Sequence, residues 1–299
     1  MSRFACPMPV TVGFVLLTLA PGVYAAMPEG PPPLLAQAWR WSAWTTVPVL
    51  VACAAYAAGA VRRPGSHASG RAVTAFFAGG LALGLALVWP LEAYAPYALS
   101  AHVAQHMLLL ALAPPLLLAG RPLRTMRAAL PTHVAGRIAG PLDRVAHRLH
   151  APLGAATLVH VVVLWTWHLP ATIAATMASD TLHRVMLASV VLAGLWFWSA
   201  VLARLRSRDG GIVGALVALV TAMMLMGFLG ALLTFSPRLL YPVYTDTALL
   251  AGIDAFADQQ LAGLLMWAPG GLPYVLVGLY LAVALLRGGP TRTDAGPAA

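Results

Sequence analysis

Two histidines, His102 and His106, stand four residues apart in an apolar stretch long enough to cross a membrane. Residues at this spacing lie on one face of a helix, one turn above the other. Neutral imidazole is the commonest side-chain ligand of metals, and it also ligates haem iron. The spacing therefore predicts a metal or haem site on this helix. The alternative is a pair of interfacial histidines that bond only to lipid headgroups or backbone.

Other polar side chains fall near the same end of the predicted spans, and a thioether lies about two turns deeper. Imidazole and thioether ligands suit copper, particularly Cu(I), which takes soft ligands. The predicted copper ligands are His102, His106, His168, His183 and Met266. Asp258 is expected to orient a ligating histidine from behind. Gln259 shares a helix face with Met266, seven residues further on, and is expected to support the site in the same way.

Haem is the alternative cofactor. His160 lies deeper in its span and is either a hydrogen-bonded core residue or a haem ligand, so histidines on facing helices would hold a b-type haem. Cys53, alone in the first span, is most simply a packing residue. The sequence contains no CxxC, CxxCH or HExxH motif, no phosphate-binding glycine loop and no nucleophile elbow, so nothing in it predicts an enzyme.

The elements that must position these residues are membrane-spanning helices. Hydrophobic residues make up 60% of the chain and charged residues only 9%, whereas about a quarter of a soluble domain is charged. Apolar runs of spanning length occur at 43–61, 73–90, 99–119, 151–169, 182–203, 211–234 and 260–286. The predicted fold is an all-α polytopic bundle of seven transmembrane helices within residues 40–286.

Arginine is concentrated in the loops after the first, third and fifth spans and behind the seventh, whereas acidic residues lie mainly in the opposite loops. The positive-inside rule predicts an outer N-terminus and an inner C-terminus, so the histidine pair belongs to the outer face. The net charge of +9 therefore reflects topology. Its expected partners are the anionic headgroups of the bilayer, not nucleic acid.

Both ends of the chain are expected to lie outside the bundle. Residues 1–26 are typical of a signal sequence, with Arg3 ahead of an apolar stretch that ends at Pro21, and an uncleaved anchor is the alternative. The tail 287–299, composed mainly of Gly, Pro, Thr and Ala, is predicted to be a disordered cytoplasmic segment.

Four motifs follow one another along the chain. They are Ser-Ala-His-Val-Ala-Gln-His-Met from residue 100, Trp-Thr-Trp-His-Leu-Pro from 165, Leu-Thr-Phe-Ser-Pro-Arg from 233 and Ala-Asp-Gln-Gln-Leu-Ala-Gly from 257. Together they resemble the multi-spanning CtaG family of bacterial cytochrome c oxidase assembly factors. The resemblance covers residues 40–286.

The resemblance implies a multi-pass protein of the bacterial plasma membrane that is needed to form active haem-copper oxidase and is not itself an enzyme. Copper supply is the implied task, with oxidase subunits and an extracytoplasmic copper chaperone as expected partners. The family's motif positions fall on His102, His106, His168, Asp258, Gln259 and Met266, with His183 beside them. A transporter of copper or a small solute is a further alternative, although the inner halves of the spans offer few polar residues for a path.

Overall fold

The computed structural model describes residues 28–62, 69–131, 133–137, 139–141, 144, 152–204 and 211–287. The predicted signal sequence, and the predicted tail beyond Arg287, lie outside these residues. Within the described ranges all regular elements are helical. A helix bonds its own backbone groups internally, which is what an apolar segment requires when its surroundings are hydrocarbon.

Twelve α-helices have both of their ends within the described ranges. They are α1 (Ala43–Arg62), α2 (Gly70–Leu87), α3 (Leu91–Tyr94), α4 (Leu99–Met107), α5 (Ala113–Ala119), α6 (Pro122–Arg127), α7 (Leu153–Trp167), α8 (Pro170–Ala178), α9 (Asp180–Arg204), α10 (Ile212–Phe235), α11 (Thr245–Leu250) and α12 (Ala255–Arg287). By length and apolar composition, six helical segments can cross a membrane, or seven if α7 and α8 form one span. The predicted all-α polytopic bundle is confirmed.

The fourth predicted span, 151–169, differs from a simple crossing. Helix α7 ends at Trp167, and α8 is bent from it by 71°. Pro170 begins α8, a position where a missing N–H leaves no helical hydrogen bond unmade. The corner between the two helices therefore consists of His168 and Leu169. A predicted ligand thus lies at a break in the helix and not along its side.

The third span contains a π-helical turn at Leu108–Leu112, which begins two residues after His106. Pro114 has no N–H to donate to the carbonyl of Leu110, as an α-helical residue would. The indole Nε1 of Trp198 on α9 donates to that carbonyl instead, at 3.0 Å. Gly194, one turn earlier on α9, permits the approach, since a Cβ there would lie 2.9 Å from the Leu110 oxygen. A side chain of helix α9 therefore supplies the hydrogen bond that the Leu110 carbonyl cannot receive from Pro114.

Helix α12 packs against α10 and α4. Where it crosses α10, Gly263 is in close contact with the partner backbone: a Cβ on Gly263 would lie 2.4 Å from the carbonyl oxygen of Gly230. Small residues at such crossings let two helix backbones approach each other within a membrane. The crossing fixes the first turns of α12 beside the start of α4, where the histidine pair lies.

Replacement of Gly263 by Ala is expected to destabilise the protein by about 1–3 kcal/mol, because the added methyl group overpacks the α10–α12 crossing. Gly271→Ala on the same helix is the matched control, since no heavy atom lies within 4 Å of a Cβ at that position. Thermal unfolding in detergent should give a lower midpoint for Gly263→Ala than for Gly271→Ala. Equal midpoints would contradict the tight crossing.

Candidate functional site

Three predicted ligands meet in the structure. His102 and His106 project from α4, and His168 reaches them from the corner between α7 and α8. The ring centroids of the first two lie 4.3 Å apart, and that of His168 lies 5.1 Å from His106 and 6.3 Å from His102. The three side chains are 3%, 1% and 2% exposed, respectively. We call His102, His106 and His168 the histidine cluster.

The cluster has polar atoms without partners. Nε2 of His102, both ring nitrogens of His106 and Nε2 of His168 are buried, and none has a hydrogen-bond partner among the described residues. A buried polar atom left unpaired costs about 1–3 kcal/mol. Such a concentration of imidazole nitrogens, packed together and unpaired, is what a site for a metal ion or a polar ligand requires.

His168 is held in the tautomer that suits metal binding. Its Nδ1 lies 2.7 Å from the carbonyl oxygen of Leu164. A carbonyl can only accept, so Nδ1 carries the proton and donates it, and Nε2 keeps its lone pair. Metal-ligating histidines are commonly oriented in this way, by a backbone acceptor on the nitrogen that faces away from the metal. The free lone pair is the one on the nitrogen without a partner.

The cluster is not a finished coordination sphere. In the ranges that the structure describes, no group of three or more His, Cys, Asp or Glu is arranged to hold a metal ion as it stands. The imidazoles would have to turn before their nitrogens could converge on one ion.

His183 is tied to a carboxylate. Its Nε2 lies 3.1 Å from Oε1 of Glu92, which is only 4% exposed at the start of α3. The other carboxylate oxygen accepts a hydrogen bond from Nε2 of Gln105, which also donates to the Ala86 carbonyl at 2.8 Å. In the sequence, Glu92 is only one of the acidic residues of a predicted outer loop. The feature that could have drawn attention to it is its position between Leu91 and Ala93, directly after the second predicted span.

The two predicted supporting residues contact backbone and a hydroxyl group. Asp258 accepts from the backbone N–H of Ser100 at 3.2 Å and from the Ser100 hydroxyl, at the first turn of α4. Gln259 accepts from the N–H of Leu240 at 2.6 Å and donates to the Arg238 carbonyl at 3.2 Å. Asp258 therefore contacts the first turn of the helix that bears two of the cluster histidines, and its expected role behind a ligating histidine stays a prediction.

Residues 236–254, the outer loop, connect α10 with α12 and bond to the backbone beside the cluster. The Tyr241 hydroxyl donates to the His168 carbonyl at 2.5 Å, and the Tyr244 hydroxyl donates to the Ala95 carbonyl at 3.2 Å. Burial raises the pKa of Tyr241 to about 12. Its phenol therefore keeps its proton, and with it the bond to the histidine corner, well into the alkaline range.

The remaining candidates lie in the apolar core. Met266 is fully buried in the core cluster that also contains Met107 and Met226, so its place among the ligands stays a prediction. His160 Nε2 lies 2.7 Å from the Tyr274 hydroxyl, and its ring stacks on Phe197 at 4.3 Å. Of the two interpretations of His160, this geometry favours the hydrogen-bonded core residue.

These features define a polytopic helical membrane protein with a buried histidine cluster at one end of its bundle. The family model for the cytochrome c oxidase caa3 assembly factor (Caa3_CtaG) matches residues 54–288. The chain therefore belongs to this family, as its four motifs predict. It is a multi-pass protein of the bacterial plasma membrane and an assembly factor of cytochrome c oxidase, with the oxidase as its partner. No curated protein and no solved structure matches the chain.

The alkaline titration of Tyr241 is a direct test of the burial of this side chain. The difference in ultraviolet absorbance between wild type and Tyr241→Phe should show one phenol that ionises with a midpoint of about 12. The pKa of Tyr241 in the folded protein lies above the ordinary value of 10, so the buried, protonated phenol stabilises the fold below pH 10. This contribution to the free energy of unfolding should be lost as the pH rises from 10 to about 12. A midpoint near 10 would mean that the loop does not bury this side chain.

Proposed function

We propose that the protein binds copper through the histidine cluster and supplies it to the oxidase that its family assembles. The observation that carries the proposal is the set of buried, unpaired imidazole nitrogens on His102, His106 and His168. Copper is the cargo of this protein, held for transfer and not for a reaction within it. Assembly factors are not generally catalytic, and the proposal assigns no catalytic residue.

Ligand chemistry supports copper over the hard cations. Imidazole and thioether groups are the donors that suit copper, whereas carboxylate-rich sites suit Mg²⁺, Ca²⁺ or Mn²⁺. The cluster offers imidazole donors, and Nε2 of His168 has its lone pair directed away from the Leu164 carbonyl. His183 and Met266 are proposed as later contacts, which complete the coordination or relay the ion.

Copper can be transferred only if the buried histidine cluster becomes accessible. The cluster residues are at most 3% exposed, so an ion cannot enter or leave without movement of the covering structure. The outer loop is held to the site by a few hydrogen bonds, among them those of Tyr241 and Gln259. We propose that this loop opens toward the outer face, where an extracytoplasmic copper chaperone supplies the ion and an oxidase subunit receives it.

The decisive binding test is an anaerobic titration of the purified protein with Cu(I) against a chromophoric chelator. Wild type should bind tightly and stoichiometrically, and His102→Ala/His106→Ala should bind at least about 100-fold more weakly, since loss of ligands exceeds the usual effect of residues behind them. His133→Ala is the control, because His133 is exposed and lies outside the cluster.

The outcomes separate the alternatives. Equal binding by wild type and the double variant would contradict copper binding at the cluster. A red preparation with sharp absorption bands on reduction would favour the haem-binding alternative, which a colourless preparation excludes. Uptake of copper into sealed vesicles would favour a transporter.

A further inference from the structure

We propose that Arg40, which stands between Trp39 and Trp41, binds the phosphate group of a phospholipid in the outer leaflet. None of the four motifs contains Arg40, and it lies outside the residues 54–288 that the family model matches. The site would take one lipid headgroup, recognised by a cation and by exposed aromatic rings. It does not depend on copper binding.

The segment that carries Arg40 is fixed to the rest of the bundle. Residues 31–41 lie against residues 88–97, which lead from α2 toward α4, and the N–H of Arg40 donates to the Val88 carbonyl at 2.8 Å. Three side-chain hydrogen bonds also join the two segments: Tyr97 to the carbonyl of Pro31 at 3.3 Å, Tyr94 to that of Pro33 at 2.7 Å and Trp89 to that of Leu35 at 2.8 Å. Arg40 therefore has a defined place at the end of the bundle where α4 begins.

Three indole rings stack beside Arg40. The ring of Trp39 stacks on those of Trp41 and Trp89, with centroids 5.4 Å apart in both pairs and interplanar angles of 5° and 20°. Trp39 and Trp41 nevertheless remain 47% and 69% exposed. Indole is enriched at the boundary between hydrocarbon and water, because it joins an apolar ring to a polar N–H. The stacked rings therefore indicate that Arg40 lies at the level of the lipid headgroups.

The guanidinium group of Arg40 needs an acceptor. Its Nε is buried and has no hydrogen-bond partner in the part of the chain that the structure describes. A donor that is shielded from water and left unpaired is costly. Phosphate oxygens accept from guanidinium in charge-assisted hydrogen bonds, and the planar arrangement of the N–H groups suits them. A lipid phosphate would thus supply the missing acceptor and an opposite charge.

Topology does not account for this arginine. The positive-inside rule concentrates arginine at the other end of the bundle, so a cation beside the outer headgroups needs its own reason. Arg238 lies in the outer loop and differs from Arg40 in its surroundings. Its side chain is exposed, and its guanidinium nitrogens are not among the buried, unpaired atoms of the described residues. Water can hydrate Arg238, which makes it a matched control.

Native mass spectrometry of the delipidated protein in detergent, titrated with phosphatidylglycerol, tests the site. Diacylglycerol with the same acyl chains lacks the phosphate and measures apolar contact alone. Arg40→Gln removes the charge and keeps a polar side chain, and Arg238→Gln makes the same change at the exposed control position. Trp41→Ala removes the exposed indole. Thermal unfolding in detergent establishes beforehand that each variant is folded.

Wild type should bind its first phosphatidylglycerol about 10-fold more tightly than diacylglycerol, as expected for hydrogen bonds to a charged group. Arg40→Gln should lose this preference, because the charge that recognises the phosphate is gone. Trp41→Ala should bind phosphatidylglycerol more weakly than wild type, and Arg238→Gln should bind it equally well.

Four results would overturn the proposal. They are equal binding of the two lipids by wild type, equal binding of phosphatidylglycerol by wild type and Arg40→Gln, an equal loss in Arg238→Gln, and displacement of the lipid by an equal concentration of inorganic phosphate. The last result would show a site for a free anion. If Arg40→Gln does not fold, Trp41→Ala decides: weaker binding of phosphatidylglycerol supports the site, and unchanged binding overturns it. None of these results bears on the proposed copper binding.

Discussion

Hydrocarbon offers no hydrogen bonds, so every polar group inside this bundle needs a partner from the protein. The structure provides such partners for several buried polar groups that would otherwise be unpaired. Trp198 bonds the Leu110 carbonyl that Pro114 leaves open, and Tyr274 bonds His160 deep in the core. Among the buried polar atoms that have no partner in the described residues, four are nitrogens of the histidine cluster, which brings them together in one place. These nitrogens have no hydrogen-bond partner among the described residues, and a bound ion would provide one.

Two spans are irregular near the cluster. The π-helical turn begins two residues after His106, at Leu108, and the corner at His168 follows the end of α7. Irregular backbone at membrane depth is tolerated where it is buried in protein or lines a cavity. Both breaks are held by side chains from other helices or loops, Trp198 in the first case and Tyr241 in the second. The fold therefore uses its proline residues and its buried hydrogen bonds to bring three imidazoles together.

The sequence predicted what depends on local pattern and missed what depends on tertiary contact. Hydropathy and length located the spans, and the four-residue spacing placed His102 and His106 on one face. The 71° bend that turns His168 toward them was not predicted, because a proline marks a helix start without showing the direction of the chain. Glu92 was missed because a carboxylate beside a span is normally solvated, and only the structure shows that it is buried and in contact with Gln105 and His183. The contact of Asp258 with Ser100 at the start of α4 was likewise not predicted, because it depends on how α12 packs against α4.

The central claim is that the histidine cluster supplies copper to the oxidase. The most direct measurement is the copper content of cytochrome c oxidase purified from cells whose only copy of this protein carries His102→Ala/His106→Ala, with wild type and His133→Ala beside it. Immunoblots of the membranes must show equal amounts of all three proteins. We predict an oxidase depleted of copper, with correspondingly low activity, in the double variant alone. A normal copper content in that oxidase would contradict the claim.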